Sequence, residues 1–286
     1  MSLSVHHTRK DLQVLVQDWK AQGLRIAFVP TMGALHEGHL SLMRLARGKA
    51  DKVVVSIFVN PTQFAPHEDF DTYPRDLESD VELLKSTGVD AVYAPTEGDL
   101  YPEGAVSDQK AGASAAGLES DFRLHFFDGV VSVVYRLFKA VKPDTAVFGE
   151  KDFQQLQVIR EMVMDKNMGI EILGGPIARD EFGLALSSRN AYLSAGELEI
   201  ARMLNQVLYK AAEDITSLRA KRSNPETTEE WIASSPELLA MTDEAAAMLV
   251  EAGFDKVDYV AYKPEWNRVL AAAWIGKTRL IDNCGI

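Results

Sequence analysis

His36 and His39 stand three residues apart in PTMGALHEGHL, residues 30–40, with Gly33 and Gly38 around them. Two imidazoles placed this way can donate to phosphate oxygens as negative charge builds on them. The glycines let a phosphorylated ligand approach the backbone, and a helix opening near Gly38 would aim its free N–H groups at that ligand. The dipeptide His36-Glu37 also starts a zinc-protease motif, but HExxH needs its second histidine at position 40, which is leucine. Taken alone, the pair is equally what solvent-facing or helix-capping histidines look like.

Three further segments carry groups of the same kind. FGEKDFQQL, residues 148–156, offers Gly149 for close approach and Lys151 as a point positive charge. Asp152 in that segment can accept from a ribose hydroxyl and cap a helix, while Gln154 or Gln155 faces the same crevice. The bland alternative is a well-capped surface helix behind a charge run. LALSSRN, residues 184–190, supplies Ser187 and Ser188 as donors and Arg189 to neutralise a departing pyrophosphate, the make-up of a mobile loop closing over a triphosphate. An ordinary loop leading into a helix would read the same. FVNPTQF, residues 58–64, presents Asn60 and Gln63, neutral amides that suit a hydroxylated small molecule better than a phosphate. Asn-Pro is also a common turn opener.

These segments need strands to deliver them. Apolar runs at 26–29, 53–59, 91–94, 145–148 and 170–173 alternate with helical patterns such as Val130, Val134, Leu137 and Val141, the signature of βαβ units. The reading is an α/β chain: a Rossmann-like doubly wound parallel sheet over residues 1–179, then a smaller α+β domain over 180–286. In that second domain helices are expected at 195–213 and 236–252, with a polar SNPETTEE stretch at 223–230 between them. Two closing strands meet at a Gly276-Lys277 turn. AGASAAG, residues 111–117, reads as a mobile loop because its residues are small.

Charge narrows the partners. Lys and Arg number 30 against 42 Asp and Glu, a net charge of -12 that opposes attraction to a polyanion, so nucleic acid is excluded as the main partner. An anionic substrate must then be met by a local basic island. The single cysteine, Cys284, cannot form an internal disulfide, and no run of apolar residues is long enough for a membrane span. The expectation is a cytoplasmic protein without membrane attachment.

The four segments in this order closely resemble the pantoate–β-alanine ligase family, also called pantothenate synthetases. The likeness extends to YPRDLE at 73–78, VVSVVYRLFKAVKPD, RDEFGLALSSRNAYL and the closing TRLIDN. GEKDFQQL and LALSSRN are specific to that family, whereas the two-histidine motif is shared by a wide nucleotidyltransferase superfamily. The resemblance implies a two-step ligation: ATP and pantoate give pantoyl adenylate and pyrophosphate, and the β-alanine amine then displaces AMP to give pantothenate. It implies that Met32, Gly33, His36 and His39 contact ATP, with His36, His39, Lys151 and Arg189 doing the chemistry. Gly149, Lys151, Asp152, Ala178, Ser187, Ser188 and Arg189 complete the ATP contacts, Ala178 through its backbone. Gln63, Gln155, Asn60 and Arg123 fall to pantoate and β-alanine. The resemblance further implies Mg²⁺ on the ATP phosphates, with Asp80 a weak candidate ligand, a C-terminal domain serving as a lid, and a homodimer made through the N-terminal domain.

One stretch departs from the family pattern R-P-x-H-F-x-G-V. Here residues 123–130 read RLHFFDGV, so Phe126 replaces the usual histidine, Leu124 the proline, and His125 falls one position early. Two other readings compete: a different nucleotidyltransferase of the same superfamily, and a catalytically silent nucleotide-binding protein. The amides of FVNPTQF and FQQL disfavour the first, because a phosphorylated acceptor would call for more basic residues. The joint presence of His36, His39, Lys151, Ser188 and Arg189 disfavours the second.

Overall fold

The computed structural model describes residues 3–65, 68–221 and 235–286, so the SNPETTEE stretch at 223–230 lies outside the described residues. The chain divides into two compact units, Met1–Ile177 and Ala178–Ile286.

In the first unit, six strands form one parallel sheet: β1 Ser4–His6, β2 Ile26–Thr31, β3 Lys52–Ile57, β4 Ala91–Tyr93, β5 Thr145–Gly149 and β6 Glu171–Gly175. Their order is β1-β4-β3-β2-β5-β6. The helices are α1 Arg9–Ala21, α2 Glu37–Arg47, α3 Leu77–Leu84, the short α4 Glu97–Leu100 and α5 Glu119–Phe122, then α6 Phe126–Val141 and α7 Phe153–Asp165. Strands covered on both faces read as unbroken apolar runs, which is why IAFV and VVV stand out. Along β2, Ala27 and Val29 pack with Leu40, Met43 and Ala46 of α2 and Leu84 of α3. Phe28 points the other way, its ring 6.1 Å from Phe138 of α6, which in turn lies 6.3 Å from Phe148. Strand β1 escaped the apolar pattern because it is three residues long, Ser-Val-His, at the sheet's edge.

The pairing around β2 is lopsided. It matches β3 from Ile26↔Lys52 to Thr31↔Ile57, and β5 matches β6 from Thr145↔Glu171 to Gly149↔Gly175. Between themselves β2 and β5 pair only at Ala27↔Thr145 and Phe28↔Ala146. Pro30 has no N–H to extend that ladder. The sheet therefore splits at the carboxyl ends of β2 and β5, where the chain leaves toward β3 on one side and β6 on the other. That is the switch point at which doubly wound sheets bind ligands.

Two features differ from the sequence reading. AGASAAG is tied down rather than loose: the Ala113 and Ser114 N–H groups each donate to the Glu161 carboxylate at 2.8 Å. Gln154 adds bonds to the Ser114 and Gly117 carbonyls at 3.2 and 3.1 Å. The strand expected over 53–59 stops at Ile57, and Phe58 to Asn60 lead into a 3₁₀ turn at Pro61–Gln63.

The second unit stacks α8 Ala195–Lys221 and α9 Pro236–Glu251 on a three-stranded antiparallel sheet, β7 Lys256–Lys263, β8 Arg268–Ile275 and β9 Thr278–Gly285. Leu204, Leu208, Ile215, Leu249, Val269, Ala271 and Ala273 fill the space between them. Gly276 takes φ +56° in the two-residue turn that returns β8 as β9. Among the described residues no helix is long and apolar enough to cross a membrane.

Candidate active site

The turn after β2 is held from below. Thr31 donates its hydroxyl to the Ser56 carbonyl at 2.7 Å and accepts from the Gly33 N–H at 3.3 Å. Gly33 and Ala34 both adopt positive φ, +85° and +49°. A side chain at Gly33 would place its Cβ 2.8 Å from Asp80 Oδ2, so both the backbone angle and the packing demand glycine. Asp80 is buried and accepts from the Ala34 N–H at 3.0 Å and the Leu35 N–H at 2.8 Å. Burial raises its carboxyl above the usual range, with the two donors pulling the other way. Both Asp80 oxygens, on the residue named above as a weak candidate for Mg²⁺, thus face the turn.

His36 is the N-cap of α2, and its Nδ1 accepts from the Gly38 N–H at 3.1 Å. His39 reaches back so that its Nδ1 accepts from the His36 N–H at 3.3 Å. The two imidazoles form a capping box, with rings 4.1 Å apart. A lone pair on each Nδ1 puts each proton on Nε2, so both histidines are neutral donors. Burial, then the Lys151 charge, lowers the His36 pKa. Burial, His36 and Lys151 push His39 down to about 3. The capping and functional readings of this pair therefore coincide: Nδ1 builds the helix start and Nε2 is left for chemistry. The expected free helix N–H groups are partly consumed by the imidazoles, so the donors here are side chains.

At the junction after β5, Gly149 ends the strand, Glu150–Asp152 make one 3₁₀ turn, and α7 begins at Phe153. A Cβ on Gly149 would meet only Leu42 at 3.8 Å, an ordinary contact. Asp152 occupies the N-cap position, yet its carboxylate caps no N–H and lies 3.9 Å from Lys151 Nζ. The capping expected of Asp152 is absent because its ψ of 60° is not that of an extended cap. Residue type alone leaves Gln154 and Gln155 undivided, and the resemblance singles out Gln155. The structure separates them: Gln154 is buried, accepting from the Glu119 N–H at 3.1 Å, and Gln155 is half-buried on the neighbouring face of α7.

FVNPTQF brings Gln63 beside Met32, with Gln63 Nε2 3.0 Å from Met32 Sδ. Asn60 has a different place from the one expected. It is 1% exposed, and its Nδ2 donates to Gln63 Oε1 at 3.1 Å and the Gly129 carbonyl at 3.3 Å. Its Oδ1 accepts from the Tyr101 hydroxyl at 2.8 Å. An amide so engaged supports Gln63. Arg123 is likewise engaged: Nε and Nη2 clasp the Glu68 carboxylate at 2.6 and 2.7 Å, and its guanidinium lies 3.7 Å from the Phe126 ring centroid. Phe126 thus stacks on the arginine it follows. His125, at φ +68° and exposed, turns toward Asp128 at 4.0 Å and does not restore the missing histidine.

In the second unit, Arg179 forks onto buried Asp282 at 2.6 and 2.9 Å and donates to the Gly183 carbonyl at 2.9 Å. This fixes a tight reversal in which the Leu186 N–H donates to the Ala178 carbonyl at 2.8 Å. Ser187 then caps a 3₁₀ turn at Ser188–Tyr192, accepting from the Arg189 N–H at 3.3 Å. Asp80, Tyr101 and Glu68 were missed as supports because each acts on a residue more than thirty positions away or through a partner with no local pattern. Among the described residues no group of three or more His, Cys, Asp or Glu side chains is placed to hold a metal ion.

Known proteins are similar to this chain over most of its length. A family model described as pantoate-beta-alanine ligase matches residues 4–285. A pantothenate synthetase of Mesorhizobium japonicum is 50% identical over 285 residues, covering 96% of this chain and 95% of its own. One from Hyphomonas neptunium is 46% identical, covering 99% of this chain and 97% of its own. The crystal structure of the Thermus thermophilus pantothenate synthetase superposes with a TM-score of 0.80 at 38% identity, covering 98% of each chain. That of a Francisella tularensis pantoate-beta-alanine ligase, complexed with beta-gamma ATP and beta-alanine, gives 0.80 at 34% identity, covering 99% of this chain and 97% of its own.

Proposed function

The chain belongs to the pantoate–β-alanine ligase family, and from that premise we propose that it joins pantoate to β-alanine at the expense of ATP through a pantoyl adenylate. In the first step a pantoate carboxylate oxygen attacks the α-phosphorus of ATP. A new O–P bond forms, the bond from the α-phosphorus to the bridging oxygen breaks, and its electron pair leaves on pyrophosphate. In the second, the β-alanine nitrogen attacks the acyl carbon, AMP departs with the acyl C–O electron pair, and the nitrogen loses a proton.

The observation that carries this reading is the neutral histidine pair beside Lys151 at the split in the sheet. Phosphoryl transfer asks for preorganised donors on a crowded anion and little acid–base work. His36 and His39 offer Nε2–H groups whose direction is fixed by their own backbone bonds. A histidine with so low a pKa acts as a hydrogen-bond donor and not as an acid. Lys151 adds the positive charge, Met32 and Gly33 let ATP close on the turn, and Gly149 and Asp152 serve the ribose. Gln63 and Gln155 hold pantoate. Ala178, Ser187, Ser188 and Arg189 are proposed as ATP contacts on the family's motif alone, as is the lid role of the second unit. Mg²⁺ would arrive on the ATP phosphates and supply charge neutralisation. The described carboxylates do not form a cage for it, and Asp80 is committed to the Ala34 and Leu35 amides. A cytoplasmic homodimer is proposed on the same resemblance, its state to be read by light scattering.

The test is pyrophosphate release from Mg-ATP with and without pantoate, followed by addition of β-alanine. Release that depends on pantoate, and AMP with pantothenate that depend on β-alanine, is the expected result. ATP binding without pyrophosphate release under any of these conditions would overturn it.

A further inference from the structure

We propose that Tyr101 is a positioning residue: through Asn60 it helps to fix which end of the Gln63 amide faces the substrate. This rests on the reading of Gln63 as a substrate contact and adds the polarity of that contact. Tyr101 is 2% exposed, packed against Phe58 at 6.2 Å between ring centroids and lying 4.6 Å under the Arg136 guanidinium. Arg136 is itself clamped by Asp108 at 2.5 and 2.8 Å. The phenol therefore has one place to sit, and it carries one proton.

That proton goes 2.8 Å to Asn60 Oδ1, the shortest of three donors there; the Thr62 hydroxyl and N–H stand at 3.1 and 3.4 Å. With Oδ1 turned to the tyrosine, Asn60 Nδ2 must face Gln63 and the Gly129 carbonyl. Nδ2 is a donor only, so Gln63 turns Oε1 inward and sends its NH₂ toward Met32. Methionine sulfur is a weak acceptor, readily displaced by an oxygen. The Tyr101 hydroxyl is thus the shortest of the bonds that set the direction of two amides, and the group Gln63 shows is a donor. Its partner on the substrate must be an acceptor oxygen, a carboxylate or a hydroxyl lone pair.

Removing the hydroxyl takes away the shortest bond that holds Asn60 in this direction and leaves the longer ones from Thr62 and to the Gly129 carbonyl, which loosens both amides. The experiment measures the KM for pantoate, β-alanine and ATP in Tyr101→Phe, Gln63→Ala and the double variant, with thermal melting to confirm folding. Tyr101→Phe should raise the pantoate KM about 3–10-fold, the usual worth of one hydrogen bond, while the ATP KM stays within about twofold. The double variant should be no worse than Gln63→Ala, because both act on one contact. Multiplying effects, or equal loss of ATP and pantoate, would overturn the relay. A raised pantoate KM in Gln63→Ala but not in Tyr101→Phe overturns the relay alone. A wild-type KM in Gln63→Ala overturns the Gln63 assignment and the relay with it. Should Tyr101→Phe fail to fold, Asn60→Asp keeps the acceptor for Tyr101 and removes the donor to Gln63. It should raise the pantoate KM at least as much, and an unchanged value would overturn the proposal.

Discussion

The two strand-to-helix junctions that flank the split in the sheet solve one problem differently. After β2, the start of α2 is closed by its own histidines, whose Nδ1 atoms take the Gly38 and His36 N–H groups. After β5, α7 starts at Phe153 behind Asp152 with no side-chain cap, and the local asset is the Lys151 charge. The first junction is directional and settled before any ligand arrives; the second is a charge on a four-carbon stem that adjusts to what it meets. Short-range bonds build direction, and long side chains deliver charge.

The sharpest way to break this contrast is to remove each device. His39→Ala and Lys151→Ala should each slow adenylate formation by roughly 10²–10³-fold, read as pantoate-dependent pyrophosphate release, with the melting temperature little changed. If division of labour holds, Lys151→Arg should recover part of the rate and His39→Arg none. Equal rescue by arginine at both positions would show that charge alone matters.

Next in size is the support beneath the first junction. Asp80→Ala strands the Ala34 and Leu35 N–H groups in a buried site, a cost of about 1–3 kcal/mol for each, visible in urea unfolding. Asp80→Asn keeps one acceptor and should lose about half as much. A wild-type midpoint for Asp80→Ala would mean that the turn holds itself.

A smaller effect concerns pH. The folded pKa of each histidine is depressed, so above the unfolded value of about 6.5 the pair is neutral in both states and costs nothing. As pH falls below 6.5 the unfolded chain takes up protons that the folded chain refuses. Stability should drop by up to about 1.4 kcal/mol per pH unit for each histidine, and for His39 continue to drop toward its folded value of about 3. Melting curves from pH 7.5 to 5.5 check this, and His39→Gln should flatten the slope. The smallest effect is expected at His125, whose exposed ring lies 4.0 Å from Asp128: His125→Ala should leave turnover within about twofold.

Much of this was legible in the sequence, and what was not has identifiable causes. The apolar runs of β2, β3 and β5 announced a parallel sheet because both faces of each are buried, and the motifs at their ends followed. Residue type alone could not tell adjacent Gln154 and Gln155 apart, although the family resemblance named Gln155, since the choice depends on the Glu119 N–H 35 positions away that claims the first. Asn60 looked like a ligand contact because its type suits one, whereas its burial is decided by Gly129 and Tyr101. AGASAAG looked loose because composition registers small side chains and not the Glu161 carboxylate that collects its amides. In each instance a local signal was overruled by a partner distant in the chain.

The shortened ladder between β2 and β5 has a mechanical meaning. Widening the gap between their carboxyl ends breaks no backbone hydrogen bond, because none is shared there beyond Phe28 and Ala146. The work of spreading it is borne by side-chain contact alone, while the full ladders to β3 and β6 keep each half rigid. The sheet is compliant along this seam and stiff on either side of it, so that under the proposed function a bulky triphosphate, a smaller acyl adenylate and a departing nucleotide would in turn be gripped by the same walls.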